Sequence, residues 1–456
     1  MWPDNDTDRD FLNFDGVADT VAEIIFQAGG RPISIGIAGA WGVGKSSMIR
    51  LIRHAIAKRD KKERPDYVFV EFNAWLYQGY DDARAALMEV IAETLEREAE
   101  QRKTGVDKAK EFLNRVKWLR VAKLTVGSAI SLGMGLPPTG LLGEVFALGK
   151  QVAGHTLDTA AVAAGEKAVT KIAEEAGGWL KPKEDSSPPK EIQALRDAFE
   201  ETLSEMGVRL VVLIDDLDRC LPETTISTLE AIRLFLFLKN TAFVIAADDA
   251  MIKHAVRRHF EGIEDDELVT SYFDKLIQLP IRVPPLGTQE VRAYMMLLFV
   301  ENSDLSAAEQ EAIRVGVCRQ LGQTWRGQRV DRAFMQTLHQ DLPVDLVARF
   351  DVADRLAPIM ASASQIAGNP RLIKRFLNAL SVRMAIAKTH GVGTDEAVLA
   401  KLLLFERCGG ARAYGELMKA VNDDAEGKAR FLAQIEESAS KGESLKLDAA
   451  SKPRRS

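Results

Sequence analysis

A chain of 456 residues is long enough for two to four domains of ordinary size, and 46% hydrophobic with 28% charged residues marks it as globular rather than collagen-like or wholly disordered. Its 60 Lys and Arg against 66 Asp and Glu leave a formal net charge of −6, which disfavours a globally basic nucleic-acid binder but leaves room for a local basic patch. Cys220, Cys318 and Cys408 lie far apart with no CxxC pair or Cys/His cluster, so neither a disulfide framework nor a zinc site is expected, only reduced thiols in or near the core.

The opening MWPDNDTDRDFLNFDGVADT is acidic and lacks the apolar run of a signal peptide, which predicts a cytoplasmic protein. Residues 17–28 put Val17, Val21, Ile24 and Ile25 on one helical face. A turn at Gly29–Pro32 leads into PISIGIAG, a β-rich run expected as a buried strand. Ser46 to Lys58 predicts a helix, Tyr67–Phe72 a second strand, and about Asp81 to Lys103 a long polar helix.

Residues 104–180 are rich in Ala, Gly, Lys and Leu and read as helical, and KPKEDSSPPK (181–190) reads as a loop. Within them, Leu124 to Gly143 carries no charge over a length that could cross a bilayer. Its several glycines and the pair Pro137–Pro138 make it a poor spanning helix. A helical hairpin is expected, with a membrane-dipping or partner-binding hairpin as the alternative; membrane association is disfavoured but open.

Ile192, Leu195, Phe199, Leu203 and Met206 then mark an amphipathic helix, and RLVVLIDD (209–216) a continuous apolar strand ending in acids. Ser227 to Leu238 reads as helical and TAFVIAADD (241–249) as another buried strand. From Thr288 onward the pattern is helical, with breaks near 303–305, 340–344 and 368–370, and residues 440–456 lack a core pattern. Strands alternating with helices predict an α/β fold with a parallel sheet, followed by an all-α domain.

Gly39–Ala40–Trp41–Gly42–Val43–Gly44–Lys45–Ser46 matches G-x-x-x-x-G-K-[ST], between an expected strand and an expected helix. Glycines let the backbone turn tightly and aim N–H groups at phosphate oxygens, and the following helix adds its positive end. Residues 39–47, through Ser47, are therefore the candidate nucleotide cradle, with Lys45 as the catalytic cation reaching the β- and γ-phosphates and the Ser46 hydroxyl as a Mg²⁺ ligand.

Asp215 and Asp216 end an apolar strand, at the edge where open α/β sheets bind ligands. Asp215 is the expected Mg²⁺-side ligand, and Asp216 the group that orients attacking water, with a turn-capping carboxylate as the alternative. Asp218 and Arg219 are expected to pair locally or with a neighbouring loop, Arg219 having a catalytic role as its other reading. Asp248 is a candidate sensor of the γ-phosphate or a solvated loop acid. In GNPR (368–371), Arg371 or Arg375 could reach back to nucleotide phosphate; the plain alternative is a capped helix with solvated cations. Arg50, Arg53, Lys58, Arg59, Lys61, Lys62 and Arg64, like the basic residues at 254–259, read first as a solvated face and second as a nucleic-acid contact.

Lys45 and Asp215 are 170 positions apart, more than one strand and one helix require, so an insertion lies between them. The expected division is 1–103 and 191–287 as the two parts of a P-loop NTPase core, 104–190 as a helical insertion with a Pro-rich loop, 288–435 as a helical domain and 436–456 as a tail.

Together GAWGVGKSS (39–47), EFNAWLYQ (71–78), LIDDLDRC (213–220), LEAIRLFL (229–236), YFDKLIQLPI (272–281) and GNPRLIKRFLNAL (368–380) resemble the KAP family of P-loop NTPases. The resemblance implies ATP and Mg²⁺ as cofactors, hydrolysis coupled to conformational change, and an all-helical domain after the sheet. Family members often carry membrane helices between the two nucleotide motifs, a pattern from which residues 124–143 depart. FLNF (11–14) and FNAWLYQGYDDARAALM (72–88) are also similar to the ATPase component of the four-gene Qat anti-phage system, which implies partner proteins in a bacterial defence complex. Three classes follow: a Mg²⁺-dependent ATPase, with Arg371 or an arginine from a second copy neutralising the transition state; a nucleotide-gated scaffold that hydrolyses little; and a translocase or loader that meets nucleic acid directly or through partners. A small-molecule kinase is a further rival. No NKxD-type guanine signal is found, which favours ATP over GTP.

Overall fold

The computed structural model describes residues 1–59, 66–78, 83–117, 188–259 and 275–441. The chain divides into two compact units, Asn5–Pro284 and Met1–Asp4 with Pro285–Ser456. The first is organised on a parallel sheet. Among the described residues its strands are β1 (Ile33–Ala38), β2 (Asp66–Asn73), β3 (Val208–Asp215), β4 (Thr241–Ala247) and β5 (Leu279–Arg282). They lie in the order β2-β3-β4-β1-β5, every neighbouring pair parallel.

Burial explains the sequence of each strand. β1 and β4 are buried at every position, so they are runs of apolar and small residues rather than alternations. β2, at one edge, alternates, burying Val68, Val70 and Phe72 while Glu71 faces solvent. β5, at the other edge, is short, largely exposed and contains Pro280, which an edge strand tolerates. The hydrophobic pattern alone predicts no strand there, because there is no buried run to see.

The helices of this unit are α1 (Asp15–Gln27), α2 (Lys45–Lys58), α3 (Ala83–Arg102), α4 over 106–117, α5 (Pro188–Met206), α6 (Pro222–Phe235) and α7 (Asp249–His259). α1 packs on α2, which lies on the sheet. A large apolar core joins α3, α4, α5 and α6 to Val70 and Phe72 of β2, Leu210 and Val212 of β3, and Phe243 of β4. Phe199 stands between Phe112 and Phe235, with centroids 5.3 and 5.1 Å away. Residues 106–117, placed by sequence at the head of an insertion, thus contribute Ala109, Phe112, Leu113 and Val116 to the main core. α6 starts earlier than its apolar pattern suggests because Pro222 occupies the first turn, where its missing N–H costs nothing. The uncharged stretch 124–143 lies outside the described residues; among those described, no helix is long and apolar enough to cross a membrane.

Strand register sets the functional edge. Asn73 is opposite Asp215, Ile214 opposite Ile245, and Ala38 opposite Ala247. The C-terminal ends of β2, β3, β4 and β1 therefore finish together, and only β4 separates β1 from β3, a spacing of roughly 10 Å.

The second unit is helical: α8 (Thr288–Glu301), α9 (Ala307–Leu321), α10 (Arg332–Leu338), α11 (Val344–Ser362), α12 (Pro370–Thr389), α13 (Glu396–Cys408), α14 (Ala411–Asp423) and α15 (Arg430–Ser440). Residues 293–300 of α8 are all buried, as a helix apolar around its circumference requires, and α8 packs on α11. Ser306 and Glu309 form a capping box, and Asp331, Asn369 and Asp395 cap later helices. At Gly368, φ is +66° and a Cβ would stand 2.4 Å from the Leu286 carbonyl oxygen, so only glycine fits before α12. The first four residues dock here. The Trp2 indole Nε1 donates to the Leu298 carbonyl at 2.6 Å, and the Trp2 backbone exchanges hydrogen bonds of 2.9 Å with the Asn378 amide.

Phe243 is fully buried on the central strand β4. Phe243→Ala should lower stability by about 3–5 kcal/mol, read as an earlier urea midpoint with an unchanged slope.

Candidate functional site

The glycine loop joins β1 to α2. Gly42 and Gly44 have φ of 85° and 104°, conformations that cost a side chain heavily. Gly44 precedes α2 without a side-chain cap, so the first amides of that helix point into the loop. Trp41 is half exposed on the loop. The Thr7 amide donates to the Ser47 hydroxyl at 3.2 Å, and Asp6 pairs with Arg50, so the segment before α1 braces the start of α2.

Lys45 is buried in the first turn of α2. Its Nζ donates to the carbonyls of Gly39 at 2.9 Å and Ala40 at 3.3 Å, and pairs with Asp218 Oδ2 at 3.0 Å. That ion pair crosses from the loop after β1 to the turn after β3. The two nucleotide motifs of the sequence, 170 positions apart, thus meet at one place.

The acids at the end of β3 differ in their surroundings. Asp215 accepts a hydrogen bond from the Ser46 hydroxyl, and burial pushes its carboxyl above the ordinary range, helped by the negative charges of Asp216 and Asp218. Asp216 has φ of 57°, and its amide donates to Asp215 Oδ1 at 2.8 Å. Asp216 Oδ2 accepts from Asn73 Nδ2 at 2.8 Å, and Oδ1 pairs with Arg219 Nε at 2.9 Å. The Arg219 guanidinium also lies 6.0 Å from the ring centre of Trp75. The Asp248 amide donates to Asp218 Oδ2 at 3.1 Å. Burial first, then Asp216 and Asp218, push the neighbouring Cys220 thiol up to about 12, so it stays protonated and unreactive.

The loop 39–47, Lys45, Ser46, Asp215 and Asp216 are therefore neighbours. Arg371 belongs to the helical unit, where its Nε pairs with Asp4 at 2.8 Å in the first turn of α12. Of the basic run, Arg50, Arg53 and Arg59 are paired with Asp6, Glu71 and Glu23, while Lys61, Lys62 and Arg64 lie outside the described residues. Two residues were missed by sequence reasoning as parts of the site. Asn73 is recoverable from strand register, being opposite Asp215. The partner of Asp218 is Lys45, which only tertiary structure identifies.

Ser46 and Asp215 present hard oxygen donors already hydrogen-bonded to each other, and the buried carboxylate gains from a cation. That donor chemistry fits Mg²⁺, which takes few protein ligands. Among the described residues no group of three or more His, Cys, Asp or Glu side chains is arranged to hold a metal by itself.

The raised Asp215 pKa has a definite sign. The neutral acid is compatible with folding, and stability is lost as pH rises through the folded value, so the ionised group is a cost at neutral pH. Asp215→Asn should therefore raise the stability of protein without added nucleotide by about 1 kcal/mol, measured by thermal melting at neutral pH.

A family model described as the KAP family P-loop domain matches residues 14–387. The chain is 24% identical over 285 residues to the phage T7 exclusion protein of Escherichia coli, covering 61% of this chain and 34% of that one. It is 27% identical over 186 residues to an uncharacterized protein of Methanocaldococcus jannaschii, covering 40% of this chain and 90% of the other. It is 23% identical over 209 residues to the human kinase D-interacting substrate of 220 kDa, 42% of this chain and 11% of the human one. The chain thus spans about a third of the length of the phage exclusion protein. Among solved structures, the ORC2 protein of Aeropyrum pernix gives a TM-score of 0.31 at 13% identity, over 94% of this chain and 85% of that one. With the family model spanning most of the sequence, and with the glycine loop and the acidic strand end meeting as described, the chain belongs to the KAP family of P-loop NTPases.

Proposed function

We propose that this protein is a Mg²⁺-dependent ATPase that couples ATP binding and hydrolysis to conformational change in a multiprotein complex. What supports the reading most directly is the meeting of Lys45, Ser46 and Asp215, which offers one cation for phosphate and two oxygen donors for a metal. The loop amides of residues 39–47 would bind the phosphates, and Lys45 would take the charge of the β- and γ-oxygens. Ser46 and Asp215 would hold Mg²⁺, which when bound neutralises charge on the same oxygens. Asp216, held on both oxygens by Asn73 and Arg219, has a fixed orientation from which to position water. Arg371, or an arginine from a second copy, is the proposed transition-state cation.

The match to a phage T7 exclusion protein, together with the likeness of residues 11–14 and 72–88 to the Qat ATPase component, supports placing that complex in anti-phage defence. A cytoplasmic location fits the same role. The complete engagement of Asp216 also supports a second reading, a nucleotide-gated scaffold that hydrolyses little and recruits partners when ATP is bound.

Phosphate release separates the two. Under the ATPase reading, Lys45→Ala and Asp216→Ala should each lower release by roughly 10²-fold or more, measured with purified protein and Mg-ATP. Release from the wild type equal to that of both variants, with nucleotide still bound, excludes the ATPase. ATP-dependent copurification of partners that survives Asp216→Ala favours the scaffold.

A further inference from the structure

Lys45 has two anionic claimants. One is the polyphosphate; the other is Asp218, with which it is paired at 3.0 Å. Both side chains are more than nine-tenths buried, at 8% and 6% exposure. An ammonium and a carboxylate so enclosed depend on each other, because removing either partner leaves a buried charge uncompensated. The carbonyls of Gly39 and Ala40 also accept from Lys45, but they are dipoles and do not balance its charge.

Asp218 is fixed independently of the lysine. Its Oδ2 accepts the amide hydrogen of Asp248, at the end of β4, and the residue sits in a single 3₁₀ turn over Leu217–Arg219. The acid is thus anchored to the sheet edge, whereas Lys45 is a long flexible side chain. Of the two partners, the lysine is the one with the freedom to turn toward a polyphosphate.

Resting on the nucleotide reading of the same loop, we propose that Asp218 is a positioning residue that holds Lys45 as a latch, and that breaking this ion pair sets the affinity for nucleotide. Asp216 provides the internal control. It carries the same charge two residues away, but its oxygens are taken by Asn73 and Arg219 rather than by Lys45. A general electrostatic effect would be shared by both acids; a latch belongs to Asp218 alone.

The test is calorimetric titration of the full chain with ADP and with ATP, in EDTA and in Mg²⁺, on wild type, Asp218→Asn, Asp218→Ser and Asp216→Asn. Asparagine keeps an acceptor for the Asp248 amide while removing the charge, and serine removes the charge with a smaller group should asparagine fold poorly. Both Asp218 variants should bind nucleotide about tenfold more tightly in EDTA as well as in Mg²⁺. Asp216→Asn leaves the Lys45–Asp218 pair in place and should gain less affinity than either Asp218 variant. Unchanged or weaker binding by the Asp218 variants overturns the latch, as does an equal gain in Asp216→Asn. Weaker binding confined to the Mg²⁺ titrations also overturns it, by making Asp218 a metal ligand. A wild type that binds neither nucleotide fails at the earlier step and removes the nucleotide reading itself.

Discussion

Parallel pairing in register is the constraint on which the site depends. Because Asn73, Asp215 and the end of β4 finish level with Ala38, the loops that follow four different strands open on one edge. No local feature of the glycine loop could bring an acid to it; the β4 strand between β1 and β3 sets the gap. A shift of one residue in β3 would turn Asp215 to the opposite face and separate it from Ser46. Resistance to that shift comes from the close packing of particular side chains on both faces of β3, since a continuous apolar run has no polar face to expose.

The edge so formed is electrostatically unbalanced. Asp215, Asp216 and Asp218 crowd three acids beside Lys45 and Arg219, and the raised Asp215 pKa reflects burial first and that crowding second. Bringing an anionic polyphosphate to such a place requires positive charge. Helix α2 supplies part through its amino end and Lys45 through its ammonium, and a divalent ion at Ser46 and Asp215 would supply the rest. The ordering Lys45–Asp218, Arg219–Asp216 and Ser46–Asp215 gives each acid a different partner, so three chemically identical side chains stand in three distinct environments.

The legibility of the molecule follows from the range of each interaction. The glycine loop, β1, β3 and β4 announce themselves because their signals are local: a motif, or an unbroken apolar run. Asn369 as the cap of α12 is equally local, being a contact with the next few amides. β5 is hidden because an exposed edge needs no pattern. The contact of α4 with the core is hidden because the composition of residues 104–117 does not reveal that Phe112 meets Phe199. Lys45 with Asp218, and Asn73 with Asp216, are contacts across the sheet, and nothing within a short window of sequence encodes them. The placement of MWPD in the helical unit is hidden for the same reason: Trp2 has no periodic neighbours, and its burial is decided by Leu298, Phe299 and Asn378.

The docking of those four residues changes what dissection of the gene could achieve. A fragment beginning at Pro285 would carry every helix of the second unit yet lack the indole that sits against Phe299 and the backbone groups that bond both ends of the Asn378 amide. It would also lack Asp4, the carboxylate held by Arg371. The complementary fragment ending at Pro284 would carry a stranded tryptophan at its head. The borders of the two bodies are therefore spatial rather than sequential, and a faithful isolate of the second would have to be a permuted chain in which MWPD is rejoined to it.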